Sequence, residues 1–325
     1  MIALPLLAGL LGSDPPPGVG VVQLDGADPA AFVSTTTAAG TPLHWANSCV
    51  FLRPGSDGVS DLPPDELAAG IEIAKDAWRA ATSGCGYLRF VIEPQEMGEV
   101  GLDMINRIMF REQAWCRPGD PPRCYDEGAT AITTLFFIDQ PGHPDDGTIL
   151  DADIELNAVN FAFSNCTAVG TCPTAGTGIV QDVANTLTHE LGHVLGLDHT
   201  CWSGSGPQPT DGNGAPVPAC APASSLPPEV LEATMFPFQD PMETKKRTLE
   251  SDDVAGFCAK YPSASDPNVC MPVAPTGQTD GAGDGEPRPF DSGPCGCRAN
   301  DTGGMVLGLL VALALGGRRR VRSRR

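Results

Sequence analysis

Positive charge is scarce in this chain of 325 residues, which holds 20 lysines and arginines against 40 aspartates and glutamates. Six of those arginines lie in the last eight residues, so the rest of the chain has 14 basic residues (20 − 6) against 40 acidic ones, a charge of −26 (14 − 40). An acidic surface repels phosphate groups, which argues against nucleic acid as a partner. Such a body is typical of a soluble extracellular protein, and it leaves calcium binding open.

Histidine is also scarce, with five in the chain, yet three of the five lie within residues 189–199. His189 and His193 are four residues apart, so a helix would place both imidazoles on one face, where they could bind one zinc ion. Glu190 lies beside the first of them, and its carboxylate could take a proton from a water that the metal activates. The segment predicts a metal site with its own general base.

A third metal ligand has to come from beyond this helix. If the helix continued, His199 would lie about 9 Å further along the axis than His193. Gly196 can adopt the left-handed conformation that ends a helix and so return His199 to the metal. Three neutral imidazoles leave the fourth zinc position open, as in catalytic sites. Glu229 or Glu232 could instead be the third ligand, but Gly196 and His199 would then have no explanation.

The spacing of His189, Glu190, His193, Gly196 and His199 resembles the metzincin clan of zinc proteases, and within it the matrixin branch. The resemblance implies an α+β fold, in which a twisted mixed sheet packs on the active-site helix and a small C-terminal subdomain follows the third zinc ligand. It also implies a zinc endopeptidase whose substrate is a protein or peptide.

Further residues match this family after the histidines. Met235 lies 36 residues past His199 (235 − 199) and resembles the methionine of the Met-turn beneath the zinc. Gln239 stands where matrixins usually have a tyrosine of the specificity pocket. The resemblance places Asp252 and Asp253 at the start of the last helix, where this acidic pair supports the Met-turn from below.

The order of predicted elements independently indicates an α+β fold. Residues 62–82 have helical spacing, beginning at Pro63 and Pro64, and residues 180–195 are predicted to form the metal-bearing helix. The predicted stripe of the first helix is Leu67, Ile71, Ala74, Trp78 and Ala81. Strands are predicted at 32–37, 50–52, 88–92, 107–110, 131–138 and 151–157. We expect 32–37 to pair with 50–52.

Residues 151–157 alternate polar and apolar side chains, which predicts an edge strand with one buried face. By resemblance, Ala152–Ile154 borders the substrate cleft, where an extended peptide could add as another strand. Asp145, Asp146, Asp151 and Asp153 could bind calcium, or they could form a solvated acidic turn.

The chain has twelve cysteines and a zinc motif that uses none of them, which predicts disulfides and an oxidising compartment. Pairing between neighbours would give Cys49–Cys85, Cys116–Cys124, Cys166–Cys172, Cys201–Cys220 and Cys258–Cys270. The sequence around Cys124 is partly similar to the cysteine switch of matrixin propeptides, but a disulfide with Cys116 is the preferred interpretation. Cys295 and Cys297 stand apart.

The predicted organisation has four parts: a weak signal peptide at 1–17, a matrixin-like domain at 30–262, a flexible linker at 263–294 and a tail at 295–325. In the tail, Cys295 and Cys297 precede an uncharged run at 304–316 and an arginine cluster. At 1.5 Å per residue the run spans about 20 Å, short of the ~30 Å hydrocarbon core. The tail resembles the sorting tags of myxobacterial surface proteins, which are cut and lipid-modified at a cysteine. The resemblance implies lipid modification of Cys295 or Cys297, sorting machinery and membrane attachment through the tag. A plain single-span anchor is the alternative.

Together these features predict an exported, surface-attached zinc endopeptidase. Two alternatives stay open: a zinc-containing surface adhesin or binding module that has lost turnover, and a zinc enzyme that acts on a substrate other than a peptide.

Overall fold

The structure, a computed structural model, describes residues 32–55, 62–167, 170–173, 178–204 and 206–272. The strands are β1 (Val33–Ser34), β2 (Cys49–Pro54), β3 (Arg89–Ile92), β4 (Asn106–Arg111), β5 (Cys116–Arg117), β6 (Arg123–Cys124), β7 (Ala131–Phe137), β8 (Ile149–Asn157), β9 (Phe161–Ser164), β10 (Ile179–Asp182) and β11 (Leu197–Asp198). The helices are α1 (Pro64–Thr82), α2 (Val183–Val194), α3 (Pro228–Glu232) and α4 (Ser251–Lys260). The predicted signal peptide, Cys295, Cys297 and the rest of the tail lie outside the described residues.

A mixed sheet of five strands, in the order β3-β2-β4-β8-β7, organises the fold. The first four strands run parallel, while β7 runs antiparallel to β8. Helices α1 and α2 pack against each other, and their buried side chains share one core with the helix-facing residues of the sheet. The α+β prediction is therefore confirmed at the level of a mixed sheet packed on helices.

Helix α1 begins and packs as its sequence predicts. Pro64 occupies the first turn, where its missing N–H costs nothing, and two acidic residues follow it near the positive end of the helix dipole. The buried stripe runs through Leu67, Ile71, Ala74 and Trp78, but Thr82 and not Ala81 completes it. The Trp78 indole donates to the Thr188 carbonyl at 2.9 Å, which fixes α1 against α2.

Strand β8 is not the predicted edge strand, because it lies between β4 and β7. Its polar side chains are buried on the sheet face opposite the helices, where each has partners. Asp151 and Asp153 accept hydrogen bonds from the backbone of residues 101–107. Glu155 binds Arg111 and Arg117 at 2.8 and 2.6 Å. Alternation here separates an apolar buried face from a polar buried face, and the edge strand on this side of the sheet is β7.

Strand β1 does not pair with β2 as predicted. Its partner is β11, in antiparallel register, with Val33 opposite Asp198. Both sides of β2 are already occupied by β3 and β4. Pairing with β1 therefore fixes the position of the segment that leads into His199.

Helix α2 begins three residues later than predicted. Residues Ile179–Asp182 form β10, which pairs in parallel with β9. The β-branched Ile179 and Val180 favour a strand, and Asp182 then caps the helix by accepting from the Asn185 N–H at 2.7 Å.

Five disulfides tie the described part of the chain together. Three follow the predicted neighbour pairing, including Cys116–Cys124, so Cys124 is a disulfide cysteine. The prediction was wrong for the other two, which are Cys49–Cys270 and Cys85–Cys258. Folding brings α4 beside the end of α1 and returns the chain to the start of β2, so sequence neighbours are not spatial neighbours. The chain stays attached as far as Cys270, past the predicted boundary at 262. These bridges indicate an oxidising, extracellular environment.

Within the described ranges, no helix is long and apolar enough to cross a membrane.

Candidate metal centre

Helix α2 and the turn after it carry the predicted metal ligands. His189 and His193 lie one turn apart on α2, and the helix ends at Val194. Gly196 has a φ of +78° and its N–H donates to the His193 carbonyl at 2.8 Å, which ends the helix in a left-handed turn. The chain reverses, passes through β11 and brings His199 back to α2.

The three imidazoles converge on one point. The His199 Nε2 atom lies 3.0 Å from the His193 Nε2 atom and 3.3 Å from the His189 Nε2 atom. Among the described residues, these three form the one group of possible ligands whose donor atoms all lie within 4.8 Å of one another. All three histidines are buried.

Hydrogen bonds of the outer ring nitrogens show which nitrogen faces the centre. The His189 Nδ1 atom lies 2.6 Å from the Thr234 carbonyl oxygen, and the His193 Nδ1 atom lies 2.9 Å from the Leu197 carbonyl oxygen. A carbonyl can only accept, so each Nδ1 carries the proton and each Nε2 presents a lone pair. Lone pairs that face one another at 3 Å repel unless a cation lies between them. The donor set therefore fits a metal ion.

The electrostatics of the pocket favour neutral histidines, which is the form that binds metals. Burial lowers the pKa of His193 to about 4, although its contact with the Leu197 carbonyl opposes the shift. Burial likewise lowers the pKa of His189 and of His199 well below the usual range, and the nearby Lys246 ammonium adds to both effects. The imidazoles therefore stay unprotonated at neutral pH.

Glu190 is buried beside these histidines. The Thr133 hydroxyl on β7 donates to its Oε2 atom at 2.6 Å. Burial raises the pKa of Glu190 to about 7, while the Thr133 hydrogen bond and the Lys246 charge oppose that rise. A carboxyl with a pKa near 7 can both accept and return a proton at neutral pH.

The segment around Met235 supports the histidines from the side of the core. A Cβ atom on Gly192 would lie 2.2 Å from the Met235 Sδ atom, so this sulfur packs against the helix backbone between the two α2 ligands. Asp253 accepts from the N–H groups of Thr234 and Met235 at 2.9 and 3.2 Å. It thereby fixes the Thr234 carbonyl that binds His189. Asp253, and not Asp252, is therefore the member of the acidic pair that bonds to this segment. Burial raises the pKa of Asp252 to about 7.

Lys246 is a buried residue near the site that sequence reasoning missed. Its side chain is 2% exposed, its ammonium donates to the Phe236 carbonyl, and burial lowers its pKa to about 8. Its backbone N–H donates to the Asn185 side chain at 2.8 Å. A lysine between Lys245 and Arg247 resembles a solvated basic run, so no local pattern reveals its burial.

Gln239 is held in a polar network beside the start of α2. Its side chain bonds with Gln181, Asn185 and Thr186, each at 3.0 Å. The amide therefore packs beside the first turns of the metal-bearing helix.

The remaining predicted ligands lie elsewhere. Glu229 and Glu232 are exposed residues of α3 and do not belong to the histidine group. Asp146 accepts from the Thr41 hydroxyl, while Asp151 and Asp153 bond with backbone of the 101–107 segment. In the part of the chain that the structure describes, the four acidic residues proposed for calcium do not form a common ligand group.

The arrangement can hold one metal ion on three neutral imidazoles, with a buried carboxylate next to the first of them. Zinc is compatible with such a nitrogen donor set. A search of protein-family models and of curated proteins finds no match to this chain.

Proposed function

We propose that this protein is an exported zinc endopeptidase of the metzincin type, similar to the matrixins. The observation that carries the proposal is the approach of the His199 Nε2 atom to within 3.0 and 3.3 Å of the two helix histidines, with Glu190 on the same helix. A structural zinc site normally uses four protein ligands, whereas three imidazoles leave one position for a reacting molecule. The five disulfides are consistent with export.

His189, His193 and His199 would hold the zinc. When bound, the ion would supply Lewis-acid activation of a water molecule and of the scissile carbonyl. The carboxylate oxygen of Glu190 that is not bonded to Thr133 takes the water proton and passes it to the leaving amine. Burial excludes bulk water from this proton transfer. The resemblance assigns Met235 to the Met-turn, with Asp253 as its support.

The substrate strand belongs beside β7. This strand pairs with β8 on one side and with no described strand on the other, and its Thr133 touches Glu190. An extended peptide that adds to this edge would run next to the general base. We therefore propose β7, and not Ala152–Ile154 on β8, as the substrate contact. Attachment to the cell surface through the 295–325 tag, with Cys295 or Cys297 as the modified residue, is also part of the proposal.

The test compares the full-length protein with Glu190→Gln on alkylated casein and on a quenched-fluorescent peptide library, with and without a zinc chelator. We expect the wild type to cleave both and to lose activity with the chelator. Glu190→Gln should retain about one zinc per chain while cleavage falls by roughly 10²–10⁴-fold. Glu229→Gln is the matched control, since it removes an exposed glutamate, and it should cleave like the wild type.

Two results would contradict the proposal. Full cleavage by Glu190→Gln would exclude this mechanism. A wild-type protein that holds zinc and cleaves neither substrate would favour the zinc-containing binding module instead.

A further inference from the structure

Strand β7 delivers a buried hydroxyl to the carboxylate of Glu190. Thr133 lies opposite Ile154 in the antiparallel register. The side chains of Thr133 and Leu135 both point toward α2. Thr133 is fully buried. Its Oγ1 atom lies 2.6 Å from Glu190 Oε2 and 3.4 Å from the Glu190 carbonyl oxygen. The edge strand therefore touches both the side chain and the backbone of this residue.

Thr133 is the one described side chain that hydrogen bonds with the Glu190 carboxylate. A glutamate side chain has three rotatable bonds, and neither burial nor the helix fixes the last of them. A hydroxyl at 2.6 Å from one oxygen fixes the plane of the carboxylate. It also leaves the second oxygen as the acceptor for another proton.

We propose that Thr133 is a positioning residue, which holds Glu190 by Oε2 so that its other oxygen faces the reacting water. The inference rests on the proposed function, because it assigns a task to the general base of that reaction. It also joins substrate binding to catalysis: the strand that would pair with the peptide is the strand that orients the base. Displacement of β7 would displace both together.

A purely structural role makes a different prediction. If Thr133 only fills space in the core, a residue of equal size should preserve turnover, since packing depends on shape. Valine has nearly the same shape as threonine without the hydroxyl, while serine retains the hydroxyl and loses the methyl. The two substitutions therefore separate the hydrogen bond from the packing.

The experiment measures kcat and KM of the zinc-loaded, full-length protein on one quenched-fluorescent peptide that the wild type cleaves. For Thr133→Val we expect kcat to fall roughly 10–100-fold, as for loss of a hydrogen bond to a charged group. KM and zinc content should stay close to the wild type. Thr133→Ser should restore kcat to within several-fold of the wild type.

Thr82→Val is the matched control. Thr82 is also buried, but it lies on α1 and its hydroxyl donates to the Trp78 carbonyl of the same helix at 2.6 Å. The chemical change is the same, and kcat should not change.

A second readout does not depend on turnover. Crystal structures of zinc-loaded Thr133→Val and Thr133→Ser should show the Glu190 carboxylate rotated or in several conformers in the valine variant, and in a single position in the serine variant. Unchanged kcat and an unchanged Glu190 conformation in Thr133→Val would overturn the inference while the proposed function stands. A wild type that cleaves no peptide would overturn both.

Discussion

Gly196→Ala should damage the metal centre without touching a ligand. At a φ of +78°, an alanine carries the strain of the left-handed region, about 1–2 kcal/mol. Its Cβ would also lie 2.7 Å from the Leu43 carbonyl oxygen. That oxygen is backbone, so it cannot rotate away, and overpacking of this kind costs about 1–3 kcal/mol. We expect a total destabilisation of about 2–5 kcal/mol.

The same clash should weaken zinc binding. Relief to an ordinary contact of 3.4 Å requires a shift of about 0.7 Å (3.4 − 2.7) between Gly196 and Leu43. His199 lies three residues further on, and metal sites tolerate ligand displacements of only about 0.2 Å. Zinc affinity should therefore fall by roughly 10–100-fold, the range seen when the support of a metal ligand is lost.

Gly214→Ala provides the matched control. Gly214 has a φ of +80°, and a Cβ there would meet no atom within 4 Å. This variant should lose only about 1–2 kcal/mol of stability, which is the strain of an alanine in the left-handed region, and it should bind zinc normally. Urea unfolding with and without a chelator measures the stabilities, and competition with a chromophoric chelator measures zinc affinity. Equal stabilities for the two variants, together with unchanged zinc affinity in Gly196→Ala, would refute the reasoning.

Three other predictions concern the surroundings of the site. Zinc should remain bound at pH 5.5, about one unit below the usual histidine pKa. The reason is that burial lowers the pKa of all three ligands, to about 4 for His193, so they take up protons only in stronger acid. Dialysis against buffers of decreasing pH followed by metal analysis checks this, and half-loss of zinc above pH 6.5 would contradict it. Asp253→Asn should destabilise the fold by about 1–3 kcal/mol in urea unfolding. The reason is that one carboxamide oxygen cannot accept hydrogen bonds from the N–H groups of Thr234, Met235 and Glu250 together. An unchanged unfolding midpoint would show that these hydrogen bonds do not stabilise the fold. Digestion without reductant should yield the cross-linked peptides Cys49–Cys270 and Cys85–Cys258 in mass spectrometry, whereas a Cys49–Cys85 peptide would contradict the structure.

The convergence of the three histidines could be predicted from sequence because it depends on local structure. All three histidines and Gly196 lie within eleven residues, so helix geometry and one left-handed turn determine their convergence. Helix α1 and most strands of the sheet were predictable for the same reason, since their apolar spacing is set by their own backbone period.

Features that depend on distant segments were not predictable. The alternation along β8 predicts that Asp153 faces solvent. Only the fold brings the Gly101 and Arg107 N–H groups to its carboxylate, so that it can be buried. The Cys85–Cys258 bridge spans 173 residues and follows from the packing of α4 near the end of α1. Thr133 has no local signal at all, because it meets Glu190 across 57 residues of chain.

The position of His199 is set by the protein framework. The last carbonyls of a helix lack partners within the helix, and three successive carbonyls at the end of α2 and in the turn after it find partners in other parts of the chain. Val194 accepts from the Trp45 indole at 2.7 Å, and Leu195 accepts from the Tyr261 hydroxyl at 2.8 Å. The Gly196 carbonyl then accepts from the Thr35 N–H at 3.0 Å.

These contacts come from three separate parts of the chain and all converge on the turn before His199. Pairing of β1 with β11 extends the same restraint to Asp198, the residue next to the ligand. A turn restrained from Val194 to Asp198 cannot swing His199 away without breaking buried hydrogen bonds, each worth about 0.5–1.5 kcal/mol. The free energy of folding thus offsets the repulsion between the three lone pairs, and a metal ion that enters the site meets nitrogen donors that are already in position.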